Sequence, residues 1–178
     1  MRLAPVPIAY TGSPRLAVVM AGESSRTTHG AKEGIDACRY LAGVLVGLIA
    51  GATKEQVLGL MYCPVEGLWD SEPLVSKVLV IARGSFETRQ PPEIRGTGYV
   101  VDCLEAALWA FFSTDSFRGA ILAAGNLGDD ADTTAAVCGQ LAGACYGRSG
   151  IPEPCLDKLA LLKEVESLGQ KLFELKLK

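Results

Sequence analysis

Several carboxylates and hydroxyls are concentrated where a small-residue helix is expected to begin. The sequence GDDADTT at 128–134 contains Asp130, Asp132 and Thr133, and alanine, glycine and other small residues dominate the positions that follow. Oxygen ligands of this kind suit Mg²⁺ or Mn²⁺, whereas zinc prefers nitrogen and sulfur. A turn that enters a helix can direct alternate side chains to one point, so this cluster is a candidate metal site.

A simpler interpretation is that one of these carboxylates caps the helix. An N-cap carboxylate at Asp130 or Asp132 contributes about 0.5–2 kcal/mol and interacts favourably with the positive end of the helix. One cap needs only one carboxylate, and the remaining carboxylates repel one another unless a cation is bound. The residues alone leave both interpretations open.

A second polar cluster, ESSRTTHG at 23–30, contains Ser25, Thr28 and His29, the only histidine of the chain. Hydroxyls, an imidazole and the free amides of a helix start all suit a polyol or a phosphate. The alternative is a hydroxyl-rich junction between two helices that binds nothing.

A third cluster, GTGYV at 96–100, combines glycines with an aromatic residue. Gly98 allows a close approach of the backbone to a ligand, and Tyr99 offers an aromatic face to a base. The alternative is a simple turn followed by a buried tyrosine.

The segments that must position these clusters show helical periodicity, and strand-like alternation is absent. We therefore predict an all-α fold with one long loop at 86–100. Thr53 and Gln56 have the spacing of a capping box. The predicted helices are 15–25, 30–52, 53–61, 71–82, 102–112, 115–124, 133–146 and 156–176.

Composition limits the class of protein. The chain has 178 residues, 49% of them hydrophobic, and a net charge of −3, which predicts a single domain over residues 1–178 and no nucleic-acid partner. The longest apolar run, 41–52, is too short to cross a bilayer, so no membrane partner is expected. The six cysteines form no C-x-x-C motif, which favours free thiols in a cytoplasmic protein.

The clusters occur in an order that resembles one family. The stretches MRLAPVPIAY, SSRTTHG, GTGYVVDCLEAALWAF and NLGDDADTTAAVCGQLAGACYG are similar to successive C-terminal blocks of the ADP-ribosylglycohydrolases. The resemblance covers most of residues 1–148. It implies an all-α fold that holds two divalent cations, Mg²⁺ or Mn²⁺, and the hydrolysis of an ADP-ribosyl bond to a protein side chain or small molecule.

The resemblance also implies roles for particular residues. His29 and the hydroxyls around it match the block that lines the ADP-ribose cleft, and Asp129 stands where many members have a second glycine. Gly98 and Tyr99 match the block beside the nucleotide. The positions that match the C-terminal metal ligands of the family are Asp130, Asp132 and Thr133.

The chain departs from the family in what precedes these blocks. An early glutamate, a T-D-D-T cluster and an acidic residue that positions water have no counterpart in residues 1–178. Three functions therefore stay open. They are a hydrolase completed by another chain or segment, a non-catalytic module that binds ADP-ribose, and a structural remnant of the enzyme.

A fold without its N-terminal helices is expected to bare the apolar faces that they covered. The candidates are 41–52, 102–112 and 133–146. Because monomers seldom expose large apolar patches, we predict a homo-oligomer, most simply a dimer, or association with a separate N-terminal segment.

Overall fold

The computed structural model describes residues 1–175 and 177, and these described residues form twelve α-helices and no strand. The all-α prediction is confirmed. A 3₁₀ turn, Arg148–Gly150, follows the tenth helix. In chain order the α-helices are α1 Pro5–Ala9, α2 Pro14–Arg26, α3 Lys32–Ile49, α4 Lys54–Val57, α5 Leu68–Ser71, α6 Ser76–Ala82, α7 Ser85–Thr88, α8 Val100–Phe112, α9 Phe117–Gly125, α10 Ala131–Tyr146, α11 Glu153–Leu156 and α12 Leu162–Leu175.

Helix α3 lies at the centre of the molecule and contacts α2, α8 and α10. It is apolar nearly all round, as expected of a helix covered on every side. Small residues allow close packing, and a Cβ built on Gly47 would lie 2.1 Å from Tyr62 Oη. The residues of α3 that are buried among its neighbours include Tyr40, Leu41, Val44, Leu45 and Leu48.

Helix α4 is shorter than the predicted helix at 53–61. The capping box is confirmed, because the Gln56 N–H donates to Thr53 Oγ1 at 3.3 Å and the Thr53 N–H donates to Gln56 Oε1 at 2.8 Å. The chain then turns at Met61, which has a φ of 54° and whose N–H donates to the Ala82 carbonyl at 2.7 Å. This tertiary hydrogen bond holds a turn at a position where the local pattern predicted helix.

Two other helices begin later than predicted. Pro73 disfavours a helical conformation at Glu72, and α6 begins at Ser76 rather than at residue 71. Leu161 has a φ of 60°, and α12 begins after it at Leu162 rather than at residue 156. The long loop at 86–100 begins inside α7 and then runs to α8.

The prediction of bare apolar faces at 41–52, 102–112 and 133–146 is wrong. Every residue from Leu41 to Leu48 is buried, and most of α8 is buried although Phe112 at its end is 39% exposed. The larger apolar residues Val137, Cys138 and Leu141 of α10 are buried as well. These helices cover one another, and α2, α6 and α9 cover what is left. The exposed apolar residues are instead concentrated in and just before α12.

All six cysteines are free thiols, as predicted. None of the helices in the described part of the chain is both long and apolar enough to span a membrane.

Candidate functional site

The turn before α10 has an unusual backbone. Gly128 has a φ of 73° and Asp129 a φ of 55°, so two successive residues adopt the left-handed conformation. Glycine adopts it without steric cost, and aspartate is among the few other residues that tolerate it. Aspartate can therefore occupy this position, at which members of the family that the sequence resembles often have glycine.

The turn is anchored from beneath by α8 and the loop that precedes it. The Asp130 N–H donates to the Gly96 carbonyl at 2.8 Å. Thr134 is fully buried, and its Oγ1 donates to the Asp130 carbonyl at 3.1 Å and lies 3.9 Å from Cys103 Sγ. A Cβ on Gly96 would lie 3.0 Å from that hydroxyl, so the close approach requires glycine.

The Asp130 side chain does not cap α10. Asp130 occupies the N-cap position, but its carboxylate accepts no hydrogen bond from the amides of the first turn. Asp132 lies in that first turn and is exposed. The simple capping interpretation therefore fails for Asp130, and its carboxylate is left available to a ligand.

The Gly98 loop lies directly against this carboxylate. A Cβ on Gly98 would lie 3.3 Å from Asp130 Oδ2. Thr97 holds the loop at the start of α8, because its Oγ1 donates to Asp102 Oδ2 at 3.0 Å and accepts from the Tyr99 N–H at 3.1 Å. The structure thus brings together two of the three clusters found in the sequence.

Tyr99 is not buried, which contradicts the alternative of a turn with a buried tyrosine. Its side chain is 41% exposed, and Lys77 of α6 donates from Nζ to Tyr99 Oη at 2.7 Å. Lys77 Nζ also lies 3.6 Å from Glu33 Oε1. The hydrogen bond to Tyr99 and the nearby Glu33 carboxylate raise the pKa of Lys77 above its ordinary value.

The His29 turn connects α2 to α3. Ser25 is buried, and its Oγ donates to the His29 carbonyl at 3.0 Å. His29 Nδ1 lies 2.9 Å from Thr28 Oγ1, and both side chains are exposed. Ser25 therefore shapes the turn from inside, while Thr28 and His29 face the surface where a ligand can reach them.

Lys77 links the two helix starts that border the candidate site. Glu33 lies in the first turn of α3, just after the His29 turn, and Tyr99 immediately precedes α8. One lysine contacts both. Lys77 and Thr134 were not predicted from the sequence, because contacts between distant elements leave no local pattern.

The oxygen donors of Asp130, Asp132 and Thr133 fit Mg²⁺ or Mn²⁺ in kind. Mg²⁺ keeps several waters and is commonly held by one or two carboxylates. Within residues 1–175 and 177, no three His, Cys, Asp or Glu side chains come together as a metal site. An ion held by Asp130 and Asp132 would therefore need hydroxyl or water as further ligands.

Comparisons with known proteins find relatives over nearly the whole chain. The family model of ADP-ribosylglycohydrolase matches residues 1–178. The ADP-ribosylarginine hydrolase Tri1 of Serratia proteamaculans is 40% identical over 173 residues, which are 97% of this chain and 45% of that protein. The ADP-ribosyl-[dinitrogen reductase] glycohydrolase of Rhodospirillum rubrum is 31% identical over 166 residues, which are 93% of this chain and 51% of that protein.

A solved structure, described as an ADP-ribosylglycohydrolase-related protein complex, superposes with a TM-score of 0.87 at 39% sequence identity. The match covers 99% of this chain and 59% of the chain in that structure. The chain thus spans about half the length of the curated relatives it matches. The match of the family model over all 178 residues, together with this superposition, shows that the chain belongs to the ADP-ribosylglycohydrolase family.

Proposed function

We propose that the Asp130 turn, the Gly98 loop and the His29 turn form a surface that binds the ADP-ribosyl group of a modified protein. The observation that carries the proposal is the Asp130 carboxylate, which caps no helix and lies against a glycine that leaves room beside it. Relatives named as an ADP-ribosylarginine hydrolase and an ADP-ribosyl-[dinitrogen reductase] glycohydrolase support the substrate class.

Each cluster has a distinct role in this proposal. Asp130, Asp132 and Thr133 hold Mg²⁺ or Mn²⁺. Tyr99 offers its exposed ring to the adenine, and the exposed Thr28 and His29 side chains contact ribose or phosphate oxygens. Held by these residues, the ion would supply Lewis acidity for the activation of water.

Binding without efficient hydrolysis is the second candidate function of this chain. The observation that favours it is the small number of ligands, since the described residues bring no three metal-binding His, Cys, Asp or Glu side chains together. In that case the chain binds ADP-ribose and a cation, and ligands from another chain or segment are needed for turnover.

Calorimetric titration with MnCl₂ tests the metal site. Asp132→Asn removes a charged ligand without changing the size of the side chain, and we expect Mn²⁺ affinity to fall at least about tenfold. Asp157→Asn is the matched control, since Asp157 is an exposed aspartate next to α11. An Mn²⁺ isotherm that Asp132→Asn leaves unchanged would contradict the proposed ligand.

A hydrolysis assay separates the two candidate functions. With ADP-ribosylated arginine and Mn²⁺, the binding-only function predicts ADP-ribose release far below the ordinary enzyme range of about 1–10³ per second, and the hydrolytic function predicts release within it. Turnover within that range would refute the non-catalytic alternative, while ADP-ribose binding measured in parallel would still test the surface.

The Lys77 contact offers a test of the nucleotide side. Lys77→Met frees the Tyr99 hydroxyl and should weaken ADP-ribose binding about three- to tenfold, the effect of losing one hydrogen bond. Lys77→Arg should retain most of the affinity because it can still donate to Tyr99. If the original chain and both variants bind ADP-ribose with equal affinity, the positioning of Tyr99 by Lys77 does not contribute to binding.

A further inference from the structure

Helix α12 carries an apolar stripe that is exposed over most of its length, and only Leu172 within it is partly covered. The helix has no buried residue. Val165 is 54% exposed, Leu168 59% and Leu175 58%, and Leu161 just before the helix is 68% exposed. With Leu172, these residues are spaced alternately by four and three positions, which is the heptad spacing of a coiled-coil seam.

The orientation of α12 is set by the rest of the molecule. The helix packs beside α1, and Arg148 Nε donates to Glu166 Oε1 at 2.7 Å. Leu162, Gly169 and Leu172 are partly covered, and the first two lie next to Glu166 on the helical surface. Val165, Leu168 and Leu175 therefore face outward while Leu172 lies at the covered edge of the stripe, and rotation of α12 to bury the exposed residues would break the contact with Arg148.

The exposed area is large for a monomer. A folded protein of this mass typically exposes about 8,300 Å², and this chain exposes 9312 Å². Contiguous apolar patches beyond a few hundred Å² commonly mark interaction sites. The stripe on α12 is the part of the described surface where exposed leucines follow a helical repeat.

We propose that α12 pairs with α12 of a second copy of this chain, antiparallel and across a two-fold axis. In heptad notation Val165 and Leu172 occupy a positions, and Leu161 and Leu168 occupy d positions. Antiparallel pairing sets each a residue against a d residue. Val165 packs against the partner's Leu168, and Leu172 packs against the partner's Leu161.

Charged residues beside the seam select this register. Glu164 and Lys171 occupy g positions, and in the proposed pairing each Glu164 lies near the partner's Lys171. Sliding one helix by a heptad instead brings Lys171 to the partner's Lys171, where like charges repel. A parallel pair places Glu164 near the partner's Gly169, where no charge is available. The complementary arrangement is therefore the antiparallel one.

The interface is small. Two helices in contact over three turns cover on the order of 1,000 Å² in total, near the lower limit of a specific interface. The dimer is therefore weak and dissociates on dilution. It is independent of the proposed ADP-ribose surface, because no residue of α12 contributes to that surface.

Sedimentation velocity of the whole chain over about 1–200 µM tests the association, in the affinity range expected of a small interface. We expect a monomer–dimer equilibrium whose dissociation constant rises at least about tenfold in Leu168→Glu. Leu122→Glu is the matched control, since Leu122 is a 50% exposed leucine on α9 and should leave the equilibrium unchanged. Circular dichroism verifies that both variants are folded.

A charge exchange tests the register. Glu164→Lys and Lys171→Glu should each weaken the dimer about threefold or more, and the double variant should restore the original dissociation constant. A chain that stays monomeric throughout, or a dimer indifferent to Leu168→Glu, would overturn the proposal. A double variant no tighter than the single variants would overturn the antiparallel register.

Discussion

Helices α3 and α12 are the two extremes of burial in this molecule. Of the 18 residues of α3, 13 are buried, whereas none of the 14 residues of α12 is. The more strongly amphipathic sequence is that of α12, and the exposed helix is also α12. The comparison shows that a single apolar stripe indicates which side of a helix packs against another element. Burial of the whole helix is indicated by apolar residues on all of its sides.

The ion pairs of the two helices differ in the same way. In α3, Asp36 is buried and accepts from Arg39 Nη1 at 2.8 Å and from the Val75 N–H at 2.8 Å. In α12, Glu166 pairs with Arg148 while both side chains are about half exposed. The first contact fixes the chain before α6 onto the core, and the second only orients a surface helix.

The largest expected contrast is between two leucines. Leu45→Ala in α3 should lower the free energy of unfolding by about 2–5 kcal/mol, because Leu45 is 2% exposed and its loss leaves a cavity. Leu168→Ala in α12 should change it by no more than about 0.5 kcal/mol. Urea unfolding of dilute protein measures both. Similar losses would mean that α12 is covered even in the monomer.

The next largest contrast in the free energy of unfolding is expected between the two ion pairs. Asp36→Ala leaves the Val75 N–H without its acceptor and leaves the Arg39 guanidinium with Glu72 alone, and should destabilise by about 2–4 kcal/mol. Glu166→Ala removes an exposed pair and should cost no more than about 1 kcal/mol. Urea unfolding measures both changes in the free energy of unfolding. An Asp36→Ala protein as stable as Glu166→Ala would show that the buried network does not contribute to stability.

Glycines should respond in opposite directions. Gly47→Ala places a methyl group against the Tyr62 phenol and should cost about 1–3 kcal/mol. Gly169→Ala in α12 meets nothing within 4 Å and should stabilise the protein by about 0.5–1 kcal/mol. Combining Gly47→Ala with Tyr62→Ala should recover part of the loss if the clash is its cause. A shift of the same sign at both glycines would refute the packing argument.

Alkaline pH should lower the free energy of unfolding through the buried thiols of the interior. Helix α12 has no cysteine or tyrosine and should not contribute to this loss. Burial raises the pKa of Cys138 in α10 from its ordinary value of 9.0 to about 12. The unfolded chain therefore loses this proton first, and stability falls as pH rises from about 9 toward 12, by at most about 1.4 kcal/mol per pH unit for one thiol.

Unfolding between pH 7 and 10.5 measures this dependence. Cys138→Ala should flatten it, whereas Cys155→Ala should not, because Cys155 is exposed. Burial also raises the pKa of Cys38 and Cys103, so part of the slope should persist in Cys138→Ala. A slope that Cys138→Ala leaves unaltered would show that this thiol does not titrate with unfolding.

The sequence predicted those parts of the fold that depend on local periodicity. The helices α2, α3, α8 and α10 lie within a few residues of their predicted bounds because each has a long and regular apolar pattern. The predictions failed after Val57 and before Leu162, where turns that contain the left-handed residues Met61 and Leu161 replace predicted helix. They failed again for the bare faces, since a pattern shows that a face is apolar and not which helix covers it.

The candidate site was predictable to a similar extent. The motif at 128–134 and the Gly98 loop were found as separate clusters, and the structure places Gly98 against Asp130. The buried role of Thr134 was missed, because two adjacent threonines look alike in sequence while only one faces the core. The contacts of Lys77 were missed for a related reason, since they depend on the packing of three helices.

The hydrogen bond from the Asp130 N–H to the Gly96 carbonyl has an electrostatic consequence. It ties together the loops from which α8 and α10 start, so the amino ends of two long helices meet beside one carboxylate. The aligned peptide dipoles of each helix place about half a positive charge at its amino end. The backbone itself therefore offsets part of the negative charge that Asp130 and Asp132 concentrate there, before any cation or ligand arrives.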